Sequence, residues 1–299
     1  MTENKTVENN DLYHYTTQEG LIGILESNCL WATHYKFLND YSEMVSVKEK
    51  IFEFYKNMLS HNQKINNDET ILHINSIINK NTANEITHNF VKFVEGQEFY
   101  IASFCEQHSK NDSYINENGL LSQWRAYGGN GGYALIFNKD KLEELINNTK
   151  IIPIKLKEVI YSDDFELDSY HNSLSKTELD NTDYFVDLAT KYKNCGFKEE
   201  REFRIVARLC PPITILERKV NILKRKFRCN NGEQIPYIEL FNPSNPTIFP
   251  TASTLPIEKI IVGPHKDKEA RATWLKVKLA SIDRSDIEVT VSKIPFVGR

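Results

Sequence analysis

Short runs of apolar and alternating apolar residues, separated by stretches with helical spacing, recur along the whole chain. These runs predict strands at 12–15, 30–33, 100–105, 133–137, 202–209, 220–228, 234–241, 257–262 and 287–294, with extended chain over 151–161. Apolar residues spaced three and four apart predict helices at 21–28, 139–148, 179–192 and 267–281. Strands near both ends with helices between them favour an α+β protein with a mixed sheet over a doubly wound parallel fold.

Polar segments set the boundaries of this pattern. Residues 1–10 are polar and predict a disordered lead, while helical spacing around an Asn-rich stretch predicts a helical insertion at about 42–96. Thr16 and Glu19 have the spacing of a capping box at the start of the first helix. A polar loop is expected at 106–119. The remainder, 11–299, is predicted to be one domain that carries the insertion.

Composition excludes several classes of protein but does not identify one. The 299 residues are 40% hydrophobic and 26% charged, with a formal net charge of −4, which argues against sequence-blind nucleic-acid binding by the whole surface. The five cysteines include no CxxC pair, a pattern typical of reduced thiols rather than of disulfides or zinc. No apolar run has the length of a membrane span and no secretory signal is evident. We therefore expect a cytoplasmic protein with no membrane contact and no metal site.

Several motifs together resemble one family. They are LYHYT at 12–16, LWAT at 30–33, FLND at 37–40, LSQWRAYG at 121–128, EREFR at 200–204 and IIVGP at 260–264. This set is similar to DUF2971, a family of bacterial-type proteins of uncertain function, some of which look associated with phage defence. The resemblance spans nearly the whole chain and is least recognisable in the helical insertion.

A weaker resemblance concerns the beginning of the chain. A strand that carries His14, a hydroxyl residue at Thr16 and a helix with Gly-Ile-Leu at 23–25 look like the opening of ADP-ribosyltransferases of the His-Tyr-Glu type. That resemblance implies a split mixed sheet and NAD as the substrate. In that fold the histidine binds the adenosine ribose, a tyrosine stacks on the nicotinamide, and a late glutamate binds the nicotinamide ribose.

The resemblance assigns these roles to particular residues. His14 fits the first role, Tyr35 or Tyr41 the second, and Glu202 the third. Tyr15 and Thr16, beside His14, are also expected to line the cofactor site. Cleavage of the nicotinamide–ribose bond passes through an oxocarbenium-like state, which a nearby carboxylate stabilises.

A second carboxylate lies close to the first along the chain. Glu200 and Glu202 are two positions apart, so in a strand both side chains project from one face. Such a pair can divide its work between orienting NAD and activating an acceptor. The alternative is a solvated charged strand edge that discourages association between sheets. The same choice applies to His14, since a single strand histidine is often structural.

Other candidate residues have two interpretations each. Trp124 offers a stacking face and Arg125 a planar fork for phosphate; alternatively, Trp124 packs in the core and Arg125 pairs with a buried acid such as Glu202 or Asp40. Ser103 is a candidate for the pocket wall. Basic residues cluster in the predicted strand 220–228 and beside it, at Lys219, Lys224, Arg225, Lys226 and Arg228. They form either a solvated face or a patch for a polyanionic acceptor.

Three hypotheses of function follow. The first is an NAD-dependent mono-ADP-ribosyltransferase-like enzyme or NAD glycohydrolase, acting as a defence or toxin effector on a macromolecular acceptor, either protein or nucleic acid. The second is a non-catalytic nucleotide-binding sensor or interaction module of a phage-defence or toxin–antitoxin system. The third is an RNA-directed nuclease that uses the acidic pair and the basic strand. The sequence leaves the oligomeric state open.

Overall fold

A computed structural model describes most of the chain. The described ranges are 11–39, 98–108, 112–129, 131–162, 190–209, 213–215, 218–220, 223–230, 232–251 and 254–295. The predicted disordered lead at 1–10, the predicted helical insertion at 42–96, Tyr41 and most of the predicted helix at 179–192 lie outside these ranges.

Strands dominate the described part. They are β1 (Leu12–Thr16), β2 (Leu30–His34), β3 (Phe99–Glu106), β4 (Tyr133–Phe137), β5 (Ile154–Glu158), β6 (Ile160–Tyr161), β7 (Tyr192–Lys193), β8 (Glu202–Arg208), β9 (Ile213–Ile215), β10 (Arg218–Val220), β11 (Lys226–Asn230), β12 (Glu233–Leu240), β13 (Ile257–Val262) and β14 (Glu288–Val291). The helices are α1 (Gln18–Ser27), α2 (Ser113–Asn118), α3 (Leu121–Tyr127), α4 (Lys139–Asn147) and α5 (Lys268–Ser281). The α+β class and the mixed sheet are thus confirmed.

Local predictions differ from the structure at several places, and helix α3 is among the elements that were not predicted. The predicted loop at 106–119 contains the short helix α2, and the predicted strand at 220–228 is replaced by the separate strands β10 and β11. The N-cap of α1 is Thr17 rather than Thr16, because the Thr17 hydroxyl accepts a hydrogen bond from the Gly20 amide at 3.3 Å. Thr16 is the last residue of β1.

The main sheet has ten strands and branches at β3. One edge of β3 pairs with β8 from Phe99 to Cys105. The opposite edge is shared, since β1 pairs with it at residues 105–106 and β2 pairs with it at residues 100–101. Between these two pairings β1 and β2 diverge. We call this gap, which lies along residues 102–104 of β3, the split.

Three groups of strands meet at the split. The first consists of β3, β8 and β5, the second of β2, β12 and β11, and the third of β1, β4, β13 and β14. Neighbouring strands are antiparallel except for β13 and β14, which are parallel. The sheet is therefore mixed, as predicted.

Both faces of the sheet are covered, and β4 is consequently buried at all five positions. On the face that carries Phe104, the main hydrophobic cluster includes residues of α1, α4 and α5. On the face that carries Cys105, a second cluster contains Tyr13, Tyr15 and Trp124 of α3. Successive strand residues point to opposite faces, so Phe104 belongs to the main cluster and Cys105 to the second, whereas Phe99 and Ile101 belong to a third cluster with Tyr35.

Candidate functional site

His14 lies at the split, where it replaces a missing strand neighbour. Its ring atom Nδ1 is 2.9 Å from the backbone carbonyl oxygen of Ser103, and its ring centroid is 5.4 Å from that of Phe104. Ser103 belongs to the stretch of β3 between the two pairings, so its carbonyl group needs a donor from elsewhere. Burial lowers the pKa of His14, although the hydrogen bond to Ser103 acts in the opposite direction. A neutral imidazole that donates from Nδ1 satisfies this carbonyl.

The half-buried guanidinium of Arg228 lies near His14. The Nη2 atom of Arg228 in β11 donates to the Thr33 hydroxyl at 2.9 Å. The guanidinium carbon lies 5.7 Å from the ring centroid of Trp31 and 6.0 Å from that of Tyr237. Burial lowers the pKa of Arg228, and its charge is close enough to lower the pKa of His14.

Arg228 has no acidic partner in the described part of the chain. Its neighbour on the same face of β11, Lys226, is in contact with Glu239 at 2.6 Å, whereas the described contacts of Arg228 are one hydroxyl and two aromatic rings. A guanidinium that loses water without gaining a carboxylate is costly unless an anion binds to it. The residues around it therefore form a candidate anion site.

Packing explains the Gly-Ile-Leu motif at 23–25. A Cβ atom on Gly23 would lie 2.1 Å from the ring of Trp31, so only glycine allows α1 to approach this side chain so closely. Ile24 and Leu25 are buried in the main hydrophobic cluster. The motif thus has a structural role that positions Trp31 beside Arg228.

The acidic pair lies in a buried ion cluster. The Glu202 carboxylate binds Arg204 through two contacts, at 2.7 and 2.8 Å, and also accepts from Lys193 at 3.2 Å. Lys193 donates in addition to Glu200 at 2.8 Å. Arg204 and Glu202 are only 1% and 2% exposed.

Electrostatics holds this cluster charged. Burial by itself would raise the pKa of Glu202, but Arg204, Lys193 and a hydrogen bond from the Ser103 hydroxyl outweigh it, and the pKa lies below its ordinary value. In these ion pairs the negative charges of Glu200 and Glu202 lie beside the positive charges of Lys193 and Arg204. The cluster has the properties of a structural ion network.

The sheet register separates His14 from Glu202. Glu202 pairs with Cys105, and the next residue of β3, Phe104, pairs with Phe203 and contacts His14. Because neighbouring residues of β3 point to opposite faces, the carboxylate and the imidazole lie on opposite faces of the sheet. The common cleft that we expected these two side chains to line is therefore not formed. The predicted pairing of Arg125 with Glu202 is not present either, since Arg204 and Lys193 hold this acid.

Three of the predicted cofactor-binding aromatic residues lie in the core. Trp124 is 1% exposed and donates from Nε1 to the Asn118 carbonyl oxygen at 3.0 Å. Tyr15 packs edge-on against it with ring centroids 4.9 Å apart. Tyr35 is stacked on Phe99 at 4.0 Å. Tyr35 thus stacks on a phenylalanine of the core, and Trp124 has the core position of its alternative interpretation.

The remaining predicted residues are distributed differently. Ser103 lies at the split, and its carbonyl and hydroxyl groups are bonded to His14 and Glu202 on its two sides. Arg125 is exposed on α3, on the second face of the sheet. Of the residues predicted to bind the cofactor, His14 and Ser103 are in direct contact at the split.

The sequence alone did not identify the other residues of the candidate anion site, Trp31 and Arg228. The sequence indicated Trp31 only as part of a family motif, and Arg228 only as part of a basic cluster that is either a solvated face or a patch for a polyanionic acceptor. Lys226 and Arg228 alternate with exposed Phe227, which is the signal that they share a face of one strand. Only the pairing of β11 with β12, and of β12 with β2, brings Arg228 to Thr33.

Two cavities lie elsewhere in the molecule, on either side of α4. One has a volume of about 580 Å³ and is lined by Lys141, Glu258 and Arg284 among others. The other, of about 640 Å³, lies against β5. Their linings do not include His14, Arg228 or Glu202, and their charged groups include ion pairs such as Lys141–Glu258. The split differs from both cavities, because Arg228 has no carboxylate partner among the described residues.

The fold and the site define an α+β protein with a branched mixed sheet and a candidate anion site at the branch. Comparison with known proteins then finds a partial match: residues 123–205 are similar to the sequence model of DUF2971, described as a protein of unknown function. The predicted relation to DUF2971 is thereby confirmed. The matched segment includes Trp124 and Glu202 but neither His14 nor Arg228.

The other comparisons give no relative. No curated protein and no solved structure matches the chain. The resemblance to ADP-ribosyltransferases consequently has no support from a known protein or fold. Among the described residues, none of the helices is both long enough and apolar enough to cross a bilayer.

Proposed function

We propose that this protein is a nucleotide-binding module that takes a phosphate-bearing ligand of the NAD type at the split. The observation that carries the proposal is Arg228, a half-buried guanidinium for which the described residues provide no carboxylate. Phosphate is the anion that matches a planar guanidinium through paired hydrogen bonds.

The surroundings of Arg228 suit this role. The rings of Trp31 and Tyr237 restrict the guanidinium, so less side-chain entropy is lost when it binds an anion. Thr33 uses one donor of the five that an arginine carries. The remaining donors are available for the oxygens of a phosphate group.

His14 adds a second polar contact. Its Nδ1 atom is bonded to the Ser103 carbonyl, which leaves the other ring nitrogen as an acceptor with no partner among the described residues. A ribose hydroxyl is a donor of the right kind. A ligand that carries both a phosphate and a ribose would therefore match both groups.

The position of Glu202 favours binding over ADP-ribosyl transfer. In a transferase this carboxylate would have to reach the nicotinamide ribose, yet here it is bonded to Arg204 and Lys193 on the opposite face from His14. Freeing it would cost about 3–5 kcal/mol, because its buried ion pairs with Arg204 and Lys193 would be broken. The module hypothesis needs no such rearrangement.

Calorimetric titration of the full chain tests the proposal. NAD and ADP-ribose are the probes, and adenosine, which lacks phosphate, is the matched ligand. We expect saturable binding of both phosphate-bearing ligands and a loss of about tenfold or more in Arg228→Gln, since a charged hydrogen bond is removed. The control is Arg125→Gln, an exposed arginine on α3, which should bind like the wild type.

Two results would overturn the proposal. One is the absence of binding for NAD and ADP-ribose, or binding that Arg228→Gln leaves unchanged. The other is release of nicotinamide from NAD by the wild type, measured chromatographically, together with its loss in a folded Glu202→Gln variant. That second result would establish the transferase-like chemistry in place of a binding module.

A further inference from the structure

Helix α5 presents an uncharged stripe to solvent. Its buried side consists of Ala272, Leu275 and Leu279. The opposite side carries exposed residues at helical spacing, namely Ala270, Thr273, Trp274, Val277 and Ser281. Trp274 is 71% exposed and Val277 is 54% exposed. A tryptophan with so large an exposed surface at the centre of an uncharged stripe is typical of a contact site.

Two charged residues border this stripe on one side. Glu269 and Lys276 are seven positions apart, which on a helix places them on the same flank about two turns from each other. Neither has an ion-pair partner among the residues that the structure describes. The opposite flank differs, because Lys278 pairs there with Glu26 of α1 at 2.7 Å.

We propose that this stripe is the contact surface between two copies of the chain, with the two α5 helices packed antiparallel about a two-fold axis near Trp274. The axis that places Ala270 opposite Val277 of the partner subunit also places Thr273 opposite Trp274 of the partner subunit. An isologous contact of this kind repeats each pair twice.

The positions of Glu269 and Lys276 favour a second copy of the chain as the partner that binds the stripe. In an antiparallel pair the same flanks face each other, so Glu269 of one subunit comes beside Lys276 of the partner subunit, and the reverse. With the axis fixed by Ala270 and Val277, Glu269 and Lys276 of the partner subunit are offset by two residues, about 3 Å along the helix. Side chains of this length span such a shift, so the surface is complementary to itself.

Sedimentation velocity of the full chain over a wide concentration range tests the oligomeric state. We expect a reversible dimer, and in Trp274→Asp a dissociation constant at least about tenfold higher, since an aromatic anchor is lost. Tyr114→Asp is the matched control, because Tyr114 is an aromatic residue that is 54% exposed on α2. It should dimerise like the wild type. A wild type that stays monomeric at every concentration would overturn the proposal.

Charge reversal distinguishes this geometry from other dimers. Glu269→Lys and Lys276→Glu should each weaken the dimer, because like charges would then face each other. The double variant Glu269→Lys/Lys276→Glu should restore it, since both reciprocal pairs are rebuilt with reversed sign. A double variant as weak as the single variants would exclude the antiparallel arrangement of α5.

Discussion

Replacing Glu202 by glutamine tests whether the acidic motif is structural. The wild-type carboxylate compensates Arg204 and Lys193, which are 1% and 2% exposed. Glutamine keeps the shape and one acceptor oxygen but removes the charge, so Arg204 and Lys193 lose the negative charge of this carboxylate. Breaking a buried pair in this way typically costs about 3–5 kcal/mol, and we expect Glu202→Gln to lie near 3 kcal/mol.

Urea denaturation followed by circular dichroism measures this loss, with thermal melting as a second observable. For a protein of this size each 1 kcal/mol lowers Tm by roughly 2–4 °C. Glu288→Gln is the matched control, because Glu288 is 62% exposed and lies 3.7 Å from Lys259. We expect the control to change the free energy of unfolding by less than about 0.5 kcal/mol.

The pH dependence adds a second test. The folded-state pKa of Glu202 is lowered, so its contribution to stability is complete above the ordinary pKa of a glutamate. The contribution is lost as the pH falls through the lowered folded-state value. The gap between wild type and Glu202→Gln should therefore be largest near neutral pH and narrow in acid. Equal stability of the two proteins at neutral pH would refute the structural role.

Three further predictions concern individual side chains. Gly119→Ala should destabilise the fold by about 1–3 kcal/mol in the same assay, because φ is +77° and the new Cβ would lie 2.6 Å from Trp124; wild-type stability would contradict this. Burial lowers the pKa of His14, so its imidazole NMR signals should titrate below the ordinary histidine value of 6.5; titration above it would show a charged ring. Burial and nearby acids raise the pKa of Cys105, so alkylation mapped by mass spectrometry should modify exposed Cys195 first; early modification of Cys105 would refute its burial.

Much of the fold followed from the sequence because the signals were local. Alternating apolar residues marked β1, β4, β8, β12 and β13 to within a few residues, and helical spacing marked α1, α4 and α5. Strands at both ends of the chain were sufficient to indicate a mixed sheet. The family motifs were also local; EREFR and most of LSQWRAYG lie within the match over residues 123–205.

The sequence alone did not determine which side chains share a face of the sheet. The spacing of Glu200 and Glu202 predicted two side chains on one strand face, but Glu200 ends a 3-10 helix and β8 begins only at Glu202. Their shared contact with Lys193 depends on how β7 and β8 are placed. His14 and Glu202 were both correctly placed on strands. A register shift of one residue between strands moves a side chain to the other face, and no local pattern specifies that register.

The candidate site itself was decided by tertiary structure. Arg228 appeared in the sequence as one of several basic residues, and its distinction is the absence of an acidic partner among the described residues, which only the placement of β11 beside β12 and β2 produces. The split likewise arises because β1 and β2 pair with different parts of one edge of β3. Local sequence determined which segments are strands, whereas long-range pairing determined which charges meet, because burial and hydrogen bonding across the sheet are properties of the assembled fold.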